Sequence, residues 1–128
     1  MKLNSLAPNA QYDLQHGRPA VLEADNDGSY LYRYNISEQF RVVEGKTDEE
    51  HVGWECCEIR IWETPSKTAL KKAIIRSVFD EPAEFALVNT YNKHILGIKN
   101  DQTAVEEYKE FLLFTEELDA LLTADLPL

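Results

Sequence analysis

Long apolar segments are missing from this chain of 128 residues. No apolar run approaches the roughly 18 residues that a membrane-spanning helix requires, so we expect no membrane partner. The N-terminal sequence Met-Lys-Leu-Asn-Ser-Leu-Ala also lacks the apolar stretch of a secretory signal peptide. These two features predict a cytoplasmic protein.

Cysteine is equally scarce, because the chain contains only the adjacent residues Cys56 and Cys57. Neighbouring side chains of a strand point to opposite faces, so a disulfide between them would be strained. We therefore expect two reduced thiols that pack as small apolar groups. A thiol with His94 is the only nucleophilic pair that the sequence offers, which leaves a thiol-dependent enzyme as an alternative.

Motifs for metal ions, cofactors and phosphates are missing as well. The histidines are far apart and no Cys-x-x-Cys pattern occurs, so we predict no metal site. Glu23, Asp25, Asp27 and Gly28 imitate the start of a calcium loop, but Tyr34 replaces its final glutamate, which favours a tight turn. No glycine-rich phosphate loop or Gly-x-Ser-x-Gly elbow is present. We accordingly expect no cofactor and assign no catalytic residue.

Acidic residues outnumber basic ones, 23 to 13, which gives a formal net charge of −10. Nucleic-acid binding requires a clustered positive surface, so we expect no nucleic-acid partner. Segment 65–79 is the exception, with four basic residues and no acidic one, whereas 80–128 holds three basic and eleven acidic residues. The basic segment is therefore expected to face acidic residues of its own domain.

Short alternating segments in the first half predict an antiparallel β-meander of three to four strands. The polar segment 1–18 has no pattern and is expected to form an irregular arm, and the charged segment 45–53 is expected to form a hairpin tip. In the last strand, alternation places Cys57, Ile59 and Ile61 toward the core. The predicted strands are 19–24, 29–36, 38–44 and 54–63.

The second half has helical periodicity. Thr64 is the expected N-cap of a helix over 66–79, because Pro65 suits the first helical position. On this helix Ile75 lies off the apolar face. The second helix follows Asp80 and carries an apolar repeat of Phe85, Val88, Tyr91, Asn92 and Ile95. The third begins with a capping box at Thr103, and its predicted buried stripe is Val105, Tyr108, Phe111, Leu112, Thr115, Leu118 and Leu122.

These elements together predict an α+β fold in a single domain, residues 1–128. The sheet of residues 19–63 precedes three helices within 64–123, and the helices are expected to pack on one face of the sheet. The second and third helices are expected to form an antiparallel pair.

Two sets of residues are candidates for an interaction surface. Two tryptophans with an arginine between them share one predicted face of the last strand, and both residue types are enriched at interface hot spots. The alternative is a sheet face that is half covered by a loop. The third helix has more apolar residues than one face needs, which indicates burial on two sides or contact with another subunit. The candidates are Trp54, Arg60, Trp62, Leu113, Phe114 and Leu121.

Several short motifs occur in a familiar order. They are Arg-Ile-Trp-Glu-Thr-Pro at 60–65, Phe-Ala-Leu-Val-Asn-Thr-Tyr-Asn at 85–92 and Glu-Glu-Tyr-Lys-Glu-Phe-Leu at 106–112. Over about residues 8–122, this order resembles small uncharacterised proteins of phages and prophages of gut anaerobic bacteria. The resemblance implies a phage-related accessory protein, associated with the virion or its tail, and it assigns no functional residues.

The sequence thus predicts a non-enzymatic protein-interaction module, as a phage or prophage structural or assembly accessory protein. Its partner is expected to be another protein or a second copy of the chain. The alternatives are a small-ligand or peptide binder that uses an aromatic sheet face, and the thiol-dependent enzyme.

Overall fold

The computed structural model describes residues 2–42, 44–45 and 48–126. They form two compact units, which we call the sheet unit, residues 6–65, and the helical unit, residues 2–5 with 66–126. Val43, from a predicted strand, and Lys46 and Thr47, from the predicted hairpin tip, lie outside the described residues. The strands precede the helices, so the α+β class is confirmed. The single domain and the packing of the helices on the sheet stay predictions.

The sheet unit contains a four-stranded antiparallel sheet in the order β1-β4-β3-β2. β2, β3 and β4 form the predicted meander, and β3 and β4 are joined as one long hairpin. The strands are β1, Ala10–Asp13; β2, Leu22–Ala24; β3, Tyr30–Val42; and β4, Glu49–Ile61.

β1 lies within the segment that was expected to be an irregular arm. It pairs with β4, and Tyr12 lies opposite Trp54. Asn9 extends the ladder with its side chain, because its Oδ1 accepts from the Glu58 N–H at 2.7 Å and its Nδ2 donates to the Glu58 carbonyl at 2.9 Å. This edge strand is held by backbone pairing and by polar side chains. It therefore needs no apolar alternation, which is why the sequence pattern did not predict it.

β3 continues through the point where two separate strands were predicted. Asn35 has a φ of +53°, and the register with β4 shifts between Tyr34 and Ser37. A bulge of this kind moves the following side chains to the opposite face. The alternation on which the prediction depended is therefore interrupted inside one strand. β4 likewise begins at Glu49, so much of the predicted hairpin tip is paired strand.

One face of the sheet carries the apolar row that the sequence predicted. Tyr32 and Tyr34 are buried and stack with their ring centroids 5.8 Å apart. They lie opposite Ile59 and Cys57 on β4. Cys57 and Ile61 are buried and Ile59 is half-buried, so this is the buried face of the sheet.

The helical unit contains α1, Lys67–Val78; α2, Glu81–Ile95; and α3, Gln102–Asp125. Ser66 caps α1 in place of Thr64, because its Oγ accepts from the Ala69 N–H at 3.1 Å. Asp80 caps α2 as predicted, and Asp101, two residues before the predicted Thr103, caps α3. None of the described helices is long and apolar enough to span a membrane.

The core of the helical unit centres on α3, which contacts both α1 and α2. Phe79 packs edge-on against Phe111 at 5.3 Å, and Tyr91 lies 4.6 Å from Tyr108. The predicted stripe was wrong at Leu112, which is exposed. The buried residues lie along the side of α3 that packs against the other helices. They are Ala104, Phe111, Phe114, Leu118 and Leu122.

Candidate interaction surfaces

The structure does not bring together the predicted site of Trp54, Arg60 and Trp62. The two tryptophans are eight positions apart, and a strand advances about 3.3 Å per residue, so their backbones are separated by roughly 25 Å. Trp62 lies beyond the end of β4 and is 67% exposed. A ligand site that uses both indoles of this sheet face therefore has no support in the geometry.

Arg60 is engaged by the turn between β2 and β3. Its Nη1 lies 2.9 Å from Asp25 Oδ2 and 3.6 Å from Asp27 Oδ2, and it also donates to Ser29 Oγ. Hydrogen bonds from Ser29 hold the pKa of Asp27 below its ordinary value. The carboxylates of Asp25 and Asp27, which imitate part of a calcium loop, thus pair with Arg60 and stabilise the turn. Among the described residues, no group of three or more His, Cys, Asp or Glu side chains could hold a metal ion.

Trp54 belongs instead to an aromatic cluster on the far part of the β3–β4 hairpin. The His51 ring lies 5.4 Å from Phe40 and 5.0 Å from Trp54, which it meets edge-on. In the described structure, His51 Nε2 and Trp54 Nε1 are buried without a hydrogen bond. The sequence placed His51 in a loop and therefore gave no sign of this cluster.

A polar network on the same sheet face joins all four strands. Arg33 of β3 is buried, and its Nε donates to Tyr12 Oη of β1 at 3.0 Å and to Glu58 Oε2 of β4 at 2.9 Å. Its Nη1 donates to Glu23 Oε2 of β2 at 2.8 Å and to the Ala20 carbonyl at 2.9 Å. The guanidinium also lies 4.9 Å from the centre of the Tyr12 ring. The network is a structural clamp.

The contacts within the clamp fix the protonation states of Arg33 and Tyr12. Burial alone would lower the pKa of Arg33, but its hydrogen bonds with Glu23, Tyr12 and Glu58 raise that pKa above the ordinary value. Burial, with the hydrogen bond to Glu58, raises the pKa of Tyr12. Arg33 thus stays charged and Tyr12 stays protonated across the physiological range. Because these polar residues lie in separate strands, no spacing along the sequence predicts the clamp.

The two thiols show the environment of packing residues. Cys56 and Cys57 are both buried, and burial raises the pKa of both thiols, which disfavours the nucleophilic thiolate. Cys57 Sγ lies 3.6 Å from the Ala7 carbonyl oxygen. The Nδ1 of His94 accepts a hydrogen bond from the Asp101 N–H at 2.9 Å, in the turn between α2 and α3. The geometry therefore lends no support to the thiol enzyme.

The three candidates on α3 lie in different environments. Phe114 is fully buried in the core of the helical unit, so it is not part of any surface. Leu121 is half-buried, whereas Leu113 is 54% exposed. Helical spacing places Glu110, Glu116 and Glu117, and also Lys109, one turn from Leu113.

A larger set of exposed apolar residues lies on the α2–α3 pair. Phe85 and Ile95 of α2 are 61% and 59% exposed, and Leu112 of α3 is 44% exposed. Of these three, only Leu112 belongs to a stripe that was predicted to be buried. Half-buried Val88 and Val105 lie on the same sides of their helices. We call Phe85, Val88, Ile95, Val105 and Leu112 the apolar face.

The apolar face is distinct from the side of α3 that packs in the core. At 100° per residue, Val105 and Leu112 lie on one side of Tyr108, and Phe111 lies on the other. Tyr91 faces Tyr108, so the same reasoning places Phe85, Val88 and Ile95 beside Leu112. The residues of the apolar face on α2 and α3 thus lie on the same side of the Tyr91–Tyr108 contact.

Comparisons with protein-family models, with curated proteins and with solved structures gave no significant match to the chain.

Proposed function

We propose that the protein is a protein-interaction module, and that its helical unit binds a partner through the apolar face. The observation that carries the proposal is the exposure of Phe85, Ile95 and Leu112 on one side of the α2–α3 pair. Singly exposed apolar side chains are common, but several of them on one side of a helix pair are typical of an interaction site.

Charge narrows the class of partner. Segment 80–128 contains eleven acidic residues and three basic ones. One turn along α3, the exposed carboxylate of Glu116 adjoins Leu112 and Leu113, and the exposed ammonium group of Lys109 adjoins them one turn before. The complementary partner is a protein segment with an apolar stripe and basic side chains on either side of it, such as a basic amphipathic helix. A second copy of the apolar face would bring like charges together, which disfavours self-association.

A phage or prophage setting is part of the proposal. The motif order at 60–65, 85–92 and 106–112 supports it, since this order resembles proteins of phages and prophages. In such a setting the module acts as a structural or assembly accessory protein, in the cytoplasm during assembly or within the virion. Genes for tail or baseplate proteins beside this one would support that role, and a neighbourhood of unrelated metabolic genes would contradict it.

The test of partner binding uses Leu112→Gln, with Leu14→Gln as its matched control. The two leucines are 44% and 46% exposed, but Leu14 lies in the sheet unit. We expect Leu112→Gln to weaken binding of a purified neighbouring-gene product about tenfold, since one leucine leaves a buried interface. Leu14→Gln should bind as the wild type does. Isothermal titration calorimetry measures all three affinities, and equal losses in both variants would contradict the proposal.

A further inference from the structure

The helical unit carries a second surface feature, a groove of about 410 Å³ beside α1. It is lined by Thr68, Lys71, Lys72, Ile75, Arg76 and Glu84. A volume of this size lies within the range of small-molecule sites in proteins. The basic segment of an otherwise acidic chain thus forms most of the wall of a cavity.

Carboxylates of the same unit neutralise two of the three cations in the groove. Lys71 Nζ lies 2.8 Å from Asp119 Oδ1, and Arg76 Nη2 lies 2.7 Å from Glu84 Oε2. These pairs agree with the expectation that the basic helix faces acidic residues of its own domain. Lys72 is exposed, and the described part of the chain gives it no hydrogen bond or ion pair. One positive charge in the groove is therefore uncompensated.

Apolar surface lies directly beside that charge. Ile75 falls off the buried face of α1, where Leu70 and Ile74 are fully buried, and it is half-buried in the groove wall. The carbon stems of Lys71 and Lys72 add further apolar surface around it. The position of Ile75, which has no role in the core of α1, is thus explained by the groove.

We propose that this groove binds a small amphipathic anion. Its carboxylate pairs with the Lys72 ammonium group, and its apolar chain lies along Ile75 and the stems of the neighbouring lysines. Arg76 and Lys71 are held by their carboxylates as the walls of the site. The site uses residues other than those of the apolar face, so it adds a ligand to the proposed interaction module.

Octanoate is the probe that tests this site, and 1-octanol is its neutral counterpart. In ¹⁵N-labelled full-length protein, octanoate should give saturable amide shifts centred on residues 68–76 and 84. Octanol should bind about threefold to fivefold more weakly, because it lacks the charge that pairs with an exposed lysine. Shifts that do not saturate, or that centre on the sheet unit, would overturn the proposal.

Lys72→Gln and Lys67→Gln distinguish binding at the groove from a general effect of the positive charge of α1. Both lysines are exposed on the same helix, but Lys67 donates to Thr123 Oγ1 and does not line the groove. We expect Lys72→Gln to weaken octanoate binding about threefold to fivefold while leaving octanol binding unchanged. Lys67→Gln should leave both affinities unchanged. Equal octanoate affinities for Lys72→Gln and wild type would contradict the assignment.

Discussion

At the scale of single residues, Arg33 is the side chain that joins the strands of the sheet unit. It is buried and contacts Tyr12, Glu23 and Glu58, one side chain from each of the other strands. A buried arginine is tolerated only because carboxylates and a hydroxyl satisfy it. The clamp explains how polar strands, among them the unpatterned β1, hold together.

Replacing Arg33 by methionine should therefore destabilise the protein. Glu58 would keep its charge without its partner in a half-buried site, and the link from β3 to three strands would be lost. We expect a loss of about 2 to 3 kcal/mol in the free energy of unfolding, below the full value for a buried pair because Glu23 is about half exposed. Urea denaturation measures it. Arg41→Met, at an exposed position of the same strand, is the control and should change little.

The thiols give a second prediction at this scale. Burial raises the pKa of Cys56 and Cys57 above the ordinary 9.0, so the folded state favours the protonated form. Their contribution to stability is therefore complete below pH 9 and is lost as pH rises through the raised values. At pH 8 we expect both thiols to react with Ellman's reagent on the order of a hundredfold more slowly than in urea. Rapid reaction of the native protein would show that a thiol is accessible.

At the scale of elements, the sequence predicted the types of the helices and strands better than the residues at which they begin and end. The apolar row ending in Ile61 and the cap at Asp80 have local signals, and the structure confirms them. β1 and the bulge at Asn35 have no local signal, because a distant strand determines the first and a change of face hides the second. The apolar face was missed because periodicity shows that a stripe is apolar but does not show whether another element covers it.

The pairing of β1 with β4 gives a prediction of its own. A Cβ added at Gly53 would lie 2.3 Å from the Tyr12 carbonyl oxygen, so even alanine cannot fit without moving β1. We expect Gly53→Ala to destabilise the protein by about 1 to 3 kcal/mol, as overpacking does. Amide hydrogen exchange should show lost protection at residues 10–13 while α3 keeps its protection. Unchanged exchange at β1 would mean that the strands do not approach as closely as described.

At the scale of the whole molecule, charge and exposed apolar surface are distributed unevenly. The net charge of −10 arises in residues 1–64 and in segment 80–128, while α1 is basic. Both proposed binding surfaces belong to the helical unit. The partner class could be predicted from the sequence only as a protein, because Val105 and Leu112 of the apolar face had been assigned to a buried stripe.

The most direct measurement of partner binding is an NMR titration of the full-length protein with a helical peptide of leucines and lysines at amphipathic spacing. A peptide of leucines and glutamates is the control for charge. The proposed function predicts saturable amide shifts at Phe85, Val88, Ile95, Val105 and Leu112 with the lysine peptide, and none with the glutamate peptide. Shifts that centre on the sheet unit, or equal binding of both peptides, would contradict it.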